Sequence, residues 1–183
     1  MRLYHISETS GIKEFTPKRS LRKLKNLVWA ISEDKLHNYL LPRDCPRVTF
    51  FPKQDSNPAD IKRLIGHRNV KAVIAIEKKW VPIIKKTTLY KYEFNLKDFV
   101  LEDECAGYYV SETTQKPISV TIMNDILDEL LKYNIELRIS PSLWKIREEV
   151  IKSSLDFSII RMRNATPPED GIENYFPLPK DTI

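Results

Sequence analysis

A histidine near the start of the chain is the side chain whose type and setting best suit chemistry. His5 lies in Tyr4-His5-Ile6-Ser7, where alternating residues predict a β-strand. Its imidazole fits two readings: a satisfied core histidine, or a ring that hydrogen-bonds a ligand hydroxyl from the floor of a cleft. His37, on a predicted helix, and His67, in a polar loop, are expected at the surface.

Two arginines flank a turn in the string Pro42-Arg43-Asp44-Cys45-Pro46-Arg47. A guanidinium group presents paired donors that match phosphate oxygens. Arg43 or Arg47 can therefore grip a pyrophosphate or an acidic partner. Asp44 between them leaves a second reading open, in which the string is an ion-paired corner of the fold.

The positive charge of the chain is modest and unevenly spread. The formal net charge is +5, and one basic segment holds Lys13, Lys18, Arg19, Arg22, Lys23 and Lys25. Basic segments attract phosphate-bearing ligands, so a nucleotide is an expected partner and RNA a further one. Solvated surface charge explains such a run equally well.

Several classes of protein are excluded by what the sequence lacks. It contains no GxGxxG, phosphate loop, HExxH, nucleophile elbow or CxxC motif. Cys45 and Cys105 stand far apart without ligand-spaced partners, so neither a disulfide framework nor a metal site is expected. No apolar run approaches the roughly 18 residues that a membrane span needs, and the first residues do not resemble a signal peptide. These features favour a cytoplasmic protein that does not contact a membrane.

Hydrophobic periodicity predicts a fold in which strands outnumber helices. Strands are expected at 2–6, 27–31, 47–51, 71–77, 88–94, 108–111, 117–122, 135–139 and 157–162, and helices near 33–41, 78–85, 125–133 and from 142 onward. Short strand-turn-strand pieces indicate antiparallel or mixed pairing. The expected fold is α+β, with two to four helices packed on curved sheets. We expect one domain over residues 1–164 and a proline-rich tail over 165–183.

The opening of the chain resembles the ADP-ribosyltransferase superfamily. The resemblance rests on Tyr4-His5-x-Ser7, on Val28-Trp29-Ala30 followed by a helix with a polar start, and on the later segment 109–120. Members place a histidine on the first strand and an aromatic residue, usually Tyr, near the second. A third element, usually Glu, stands at the start of a later strand. The resemblance implies a fold of that type and cleavage of the nicotinamide–ribose bond of NAD.

The resemblance also implies roles for particular residues. Such cleavage passes through an oxocarbenium-like state, so the site must hold the ribose, clamp the nicotinamide and place negative charge near the developing cation. The roles implied are catalysis for Glu112 and His5, ligand binding for Tyr4, Ser7, Trp29, Arg43 and Arg47, and an alternative carboxylate in Glu104. Two departures stand out: Trp29 replaces the usual Tyr, and no Glu-x-Glu pair occurs. A binding module of the same fold, without turnover, therefore remains an alternative.

Over most of its length the chain also resembles a small bacterial family of unknown function. The resemblance ends near Ala165 and rests on Leu3–Glu8, Val28–Ile31, Pro42–Arg47, Leu89–Phe94, Ser142–Trp144 and Phe157–Asn164. It implies no activity. A third reading, a structural or partner-binding protein whose tail docks elsewhere, stays open beside the enzyme and the binding module.

Overall fold

The chain folds into two sheets with helices. The computed structural model describes residues 1–20, 24–66, 69–104 and 106–168. The expectations for Arg22, Lys23, His67, Cys105 and the tail beyond Pro168 lie outside those residues. Eleven strands form one sheet of seven and one of four, which confirms the α+β class. The chain divides into two compact units, residues 1–43 with 87–126 and residues 44–86 with 127 onward.

The first unit is built on an antiparallel seven-stranded sheet. Its strands are β1 (Arg2–Ser7), β2 (Lys18–Arg19), β3 (Asn26–Ser32), β6 (Leu89–Asn95), β7 (Val100–Asp103), β8 (Tyr108–Ser111) and β9 (Ser119–Met123). Their order is β7-β8-β3-β1-β6-β9, and β2 pairs with β3 beside this path. The strand that carries His5 therefore lies between β3 and β6, inside the sheet.

Side chains alternate between the two faces of this sheet, because successive residues of a strand point in opposite directions. Leu3, His5, Ala30 and Tyr92 point to one side, here called the histidine face; Tyr4, Trp29, Ile31 and Tyr108 point to the other, the tryptophan face. On the histidine face, Leu3, Val28, Ala30, Tyr92, Phe94 and Phe99 form a buried core.

Residues 9–15 run across the histidine face and are tied to it. The Tyr92 hydroxyl donates to the Thr9 carbonyl at 2.7 Å and accepts from the Ile12 amide at 3.1 Å. Phe15 exchanges two backbone hydrogen bonds with Gln115, at 2.8 and 3.0 Å. Its ring lies 4.8 Å from that of His5 and 5.1 Å from that of Tyr92. The connection after β1 therefore packs as part of the core.

The helix predicted after β3 is a 3-10 helix, Glu33–Tyr39. Ser32 precedes it, and its side chain makes no capping bond. Its backbone amide instead donates to Gly107. His37 was expected at the surface, and this was wrong: it is 2% exposed and lies beside the fully buried Leu36. A 3-10 helix has three residues per turn, so its buried side differs from that of the α-helix assumed in the prediction.

The second unit contains a mixed four-stranded sheet in the order β10-β5-β4-β11. The strands are β4 (Arg47–Phe51), β5 (Ala72–Glu77), β10 (Ile135–Ser140) and β11 (Asp156–Ile160); β10 and β5 are parallel. Its α-helices are α1 (Pro58–Asp60), continued by the π-helical turn Ile61–Ile65, then α2 (Val81–Ile84), α3 (Ile126–Lys132) and α4 (Trp144–Ile151). The first residue of α3 belongs to the first unit.

One face of the four-stranded sheet is covered by helices. Val48 and Phe50 of β4, Val73 and Ala75 of β5, and Ile159 of β11 pack with Leu64, Ile65, Leu143, Val150 and Leu155 from the segments above them. All six residues of β5 are buried, as its apolar run predicts.

Three expectations are corrected here. The described residues contain more helix than the predicted two to four segments: residues 33–39, 58–65, 78–84, 126–132 and 144–151 are helical, and Leu96–Asp98 and Met162–Asn164 form short 3-10 helices. The short strands β2 and β7 were missed, since neither Lys18–Arg19 nor the acidic Val100–Asp103 shows the apolar pattern of a strand. The last strand ends at Ile160, before the predicted Met162, because Arg161 turns left-handed at φ 57°.

Gly107→Ala should destabilise the protein more than Gly11→Ala. Both glycines have φ near +67° (: 68° and 67°), so both changes carry a cost of about 1–2 kcal/mol for a side chain in left-handed backbone. A Cβ at Gly107 would also lie 2.6 Å from Cγ of Lys35 and closer still to the buried Ser32 hydroxyl, whereas Gly11 faces open space. Chemical unfolding of both variants measures the difference. Equal losses would contradict the close approach at Gly107.

Candidate functional site

The His5 ring is fixed by a hydrogen bond to the backbone. Its Nδ1 lies 3.0 Å from the Trp29 carbonyl oxygen. That oxygen only accepts, so Nδ1 must carry the proton and the neutral ring offers Nε2 as an acceptor. Burial lowers the pKa of His5 below its ordinary 6.5, and the positive charges of Arg43 and Lys18 lower it further; the bond to Trp29 opposes these effects. His5 is therefore neutral near pH 7.

This bond also joins two strands where their backbone pairing stops. The register between β1 and β3 comprises Leu3 opposite Ser32 and Tyr4 opposite Ile31. The backbone pairing ends there. At the next residue of β1, the His5 side chain, rather than a backbone amide, forms the hydrogen bond to β3, at the Trp29 carbonyl. This bond agrees with the first interpretation of His5, a histidine whose ring is hydrogen-bonded within the fold. The ring nevertheless stays partly exposed, which leaves the second reading open.

The structure does not bring His5 and Trp29 together as side chains. Trp29 pairs with Val110 and points to the tryptophan face, where its ring meets that of Tyr108 edge-on at 5.7 Å. The Tyr108 hydroxyl is hydrogen-bonded to that of Tyr39. Trp29 thus belongs to an aromatic cluster on the side of the sheet opposite His5.

Tyr4 and Ser7 also divide between the two faces. Tyr4 is 3% exposed on the tryptophan face, with the Lys91 ammonium 5.1 Å from its ring centre. Burial and then the nearby Glu33 charge raise the pKa of Tyr4. Ser7 lies opposite Tyr90 on the histidine face, the same side as His5, and its hydroxyl accepts from the Thr9 amide.

Glu112 stands directly after β8 at the surface. Its carboxylate lies 2.7 Å from the Lys25 ammonium, and both side chains are about 65% exposed (: 65% and 64%). An exposed pair of this kind contributes little to stability, about 0–1 kcal/mol. Glu104, the alternative carboxylate, is exposed as well. Neither is held in a low-dielectric setting that would concentrate its charge on a substrate.

Two exposed cations lie within electrostatic reach of His5. The positive charges of Arg43 and Lys18 both lower the pKa of His5, after the larger effect of burial. The Arg43 backbone amide donates to the Glu8 carboxylate at 2.7 Å. Of these groups, His5 is a predicted catalytic residue, Arg43 a predicted ligand-binding residue and Lys18 a member of the basic segment.

Four tyrosines, Tyr90, Tyr92, Tyr108 and Tyr109, would suit stacking on bases if they were exposed, but they are largely internal. Tyr92 is fully buried and Tyr108 is 9% exposed, while Tyr90 and Tyr109 are half-buried against the same core. Strand alternation directs part of this aromatic set inward. A stacking platform of four exposed tyrosines is therefore not formed.

Arg47, in the second unit, is a structural residue. It is 2% exposed and donates to the Cys45 carbonyl at 3.0 Å. Asp44 was open to pairing with a neighbouring arginine, but its carboxylate lies 3.8 Å from Arg161 and its carbonyl accepts from Asn164. Cys45 is buried, which raises the pKa of its thiol to about 12. The corner is thus held by partners from residues 161–164 of the chain.

A buried carboxylate in the second unit was missed by the sequence reasoning. Glu77 is 1% exposed at the end of β5, and its Oε1 accepts from the Thr166 amide at 2.8 Å. Lys79 lies 3.1 Å from the other oxygen and also donates to the Thr166 hydroxyl, while the Trp144 indole donates to the Thr166 carbonyl. The only sign of this buried carboxylate in the sequence was the position of Glu77, a charged residue at the end of the apolar run KAVIAIE.

The fold and these sites define an α+β protein with two sheets, and comparison with known proteins places it in a family. The chain belongs to the DUF6886 family, a family of unknown function, which matches residues 4–165. This confirms the resemblance to a family of unknown function, including its end near Ala165. No curated protein and no solved structure matches the chain.

Two features are absent from the described part of the chain. Over residues 1–20, 24–66, 69–104 and 106–168, no three His, Cys, Asp or Glu side chains are grouped to hold a metal ion. No helix in that part of the chain is long and apolar enough to span a membrane.

The stability contributed by His5 should fall at acidic pH. Its folded-state pKa lies below the ordinary 6.5, so protons bind the unfolded chain more readily. The contribution is complete above pH 6.5 and is lost as the pH falls from there through the folded-state pKa. Urea unfolding across this range should show the wild type losing stability relative to His5→Gln, while NMR should show the ring titrating below 6.5. A ring that titrates above 6.5 would contradict this assignment.

Glu77→Ala should destabilise the protein far more than Lys79→Ala. Removing the buried carboxylate leaves the Thr166 amide without its partner, a loss of about 1–3 kcal/mol. Lys79 is half exposed, so water can replace its ammonium at the Glu77 oxygen, and removing it should cost less. Thermal and urea unfolding of the two variants test this order. Similar losses would mean that the amide of Thr166 finds another partner.

Proposed function

We propose that the first unit binds a nucleotide or a related phosphate-bearing ligand at the locality of His5, Lys18 and Arg43. The observation that carries the proposal is the 3.0 Å hydrogen bond from His5 Nδ1 to the Trp29 carbonyl, which leaves Nε2 as an acceptor on a partly exposed residue; the charges of Arg43 and Lys18 also act on this residue. Positive charges collected around a partly exposed neutral ring favour an anionic ligand. A binding module is therefore the function that the geometry supports best.

The fixed tautomer of His5 supplies a polar group of the right kind. With Nδ1 donating to Trp29, Nε2 is an acceptor and can receive a hydrogen bond from a ribose hydroxyl. Lys18 and Arg43 are exposed, and a guanidinium can contact two phosphate oxygens at once. The three groups thus match a hydroxyl and a phosphate on one small molecule.

The second candidate is cleavage of NAD, which the resemblance to ADP-ribosyltransferases implies. It is favoured by the locked ring of His5 on the first strand and by the exposed Glu112 carboxylate after β8. Trp29 would not take part from the histidine face, because its ring points to the other side of the sheet. Turnover would require Glu112 to leave Lys25 and approach the ribose.

Calorimetric titration of the full chain with NAD, ADP-ribose and AMP tests the binding proposal. Arg43→Ala and Lys18→Ala should each weaken binding about tenfold, the scale of one charge-assisted hydrogen bond. His5→Gln should weaken the binding of nucleotides that carry a free ribose hydroxyl but leave the binding of inorganic phosphate unchanged. Raising the salt concentration should weaken the binding of every anionic ligand, because salt screens the attraction to Lys18 and Arg43.

Lys97→Ala is the matched control, since it removes one exposed lysine of the first unit that does not shift the His5 pKa. Its affinity should equal that of the wild type. Absence of binding by every nucleotide would overturn the proposal for small ligands and direct the search to short RNA. Nicotinamide release from NAD, abolished by Glu112→Ala, would instead establish the enzyme.

A further inference from the structure

An exposed row of aliphatic side chains follows one edge of the seven-stranded sheet. Ile118, Val120 and Ile122 are 55%, 47% and 60% exposed, and we call them the β9 row. They point to the histidine face, since Val120 lies opposite Tyr92 and Ile122 opposite Tyr90. Three large aliphatic residues at alternate positions form a continuous apolar strip rather than scattered contacts.

The strand that carries the row has one free edge. Among the described residues β9 pairs with β6, and it ends the strand order of the sheet. Its residues Ser119–Met123 include no charged residue. Edge strands that stay unpaired are usually blunted by a charge, a bulge or a proline within them. Pro117 precedes this strand, so it limits where pairing begins and does not interrupt it.

The β9 sequence matches itself when it runs antiparallel. In a pairing centred on Val120, Val120 lies opposite its own copy, Ile118 opposite Ile122, and Ser119 opposite Thr121. Directly opposed residues share a face, so Ile118, Val120 and Ile122 of the two copies meet on one side and Ser119 and Thr121 on the other. A shift of the centre to Thr121 would place Ile118 opposite Asn124 and lose this match.

The ends of this pairing also match in charge. Lys116 of one copy lies opposite Asn124 of the other, next to Asp125. Two-fold symmetry repeats the arrangement at the opposite end, as it does in any isologous contact. No like charges face each other along the strand. Apolar, hydroxyl and charged positions are therefore all compatible with one register.

We propose that β9 is a homodimer interface, in which two copies of the chain pair antiparallel about Val120 and join their seven-stranded sheets. The occupant of the free edge is a second copy because the strand is complementary to itself in side-chain size, hydrogen bonding and charge. The proposal is independent of the ligand suggested for His5, since it involves neither Lys18 nor Arg43.

Sedimentation equilibrium on the full chain, with two opposite-charge variants, tests the proposal. The wild type should have the mass of two chains. Val120→Lys and Val120→Glu should each have the mass of one chain, because like charges then face each other across the symmetry axis. An equimolar mixture should regain the mass of two chains, since Lys then faces Glu. Misfolded variants would not show this recovery.

Two controls locate the interface and its register. Val100→Lys changes an aliphatic residue that is 70% exposed on the opposite edge strand, and it should remain dimeric. In a Cys105→Ser background, Val120→Cys should form a disulfide-linked dimer on oxidation, because the register brings the two Cβ atoms together. Thr121→Cys should not, since Thr121 faces Ser119.

Three outcomes would overturn the proposal. The first is a wild type that stays a single chain up to its solubility limit. The second is a dimer that persists in both Val120 variants, which would place the contact elsewhere. The third is loss of the dimer in Val100→Lys with retention in Val120→Lys, which would assign it to β7.

Discussion

The first unit depends on the way the His5 imidazole replaces a backbone contact between β1 and β3. The two strands pair at Leu3 and Tyr4, and then the ring bonds to the Trp29 carbonyl. An aliphatic residue at this position would leave that buried carbonyl without a donor from β1, which costs free energy. The same bond fixes the tautomer and presents Nε2 away from Trp29, while burial keeps the ring neutral near pH 7. The structural role and the proposed binding role therefore rest on one interaction and do not compete.

Anchored polar atoms place the irregular segments in both units. The Tyr92 hydroxyl holds residues 9–12 across the histidine face, so Phe15 can pack over His5. In the second unit, Glu77 holds Thr166 through its amide, and Lys79 and Trp144 hold the other polar atoms of that residue. Tyr92 and Glu77 are buried, where an unsatisfied polar group would be costly and a satisfied one specifies a single position.

The sheet of the first unit separates residues that the sequence suggested as one site. Alternation along β1 and β3 sends His5 and Ser7 to one face and Tyr4 and Trp29 to the other. Glu112 remains at the surface beside Lys25. A catalytic arrangement built from all of these residues would need groups from both sides of a hydrogen-bonded sheet. The site proposed on the histidine face needs only His5 and cations whose charge acts on it, so it does not require groups from both faces.

The sequence by itself determined the α+β class, most strands and the family, because hydrophobic periodicity and local strings are properties of short segments. Strand β5 was predicted within one residue, since six consecutive buried positions need an apolar run. Periodicity could not find β2 or β7, which are short and polar, nor the 3-10 geometry that buries His37. The face on which Trp29 lies depends on the register between β1 and β3, and the burial of Glu77 depends on Thr166, 89 residues away. Only the tertiary structure decided these features, because each results from a contact between segments that are remote in the chain.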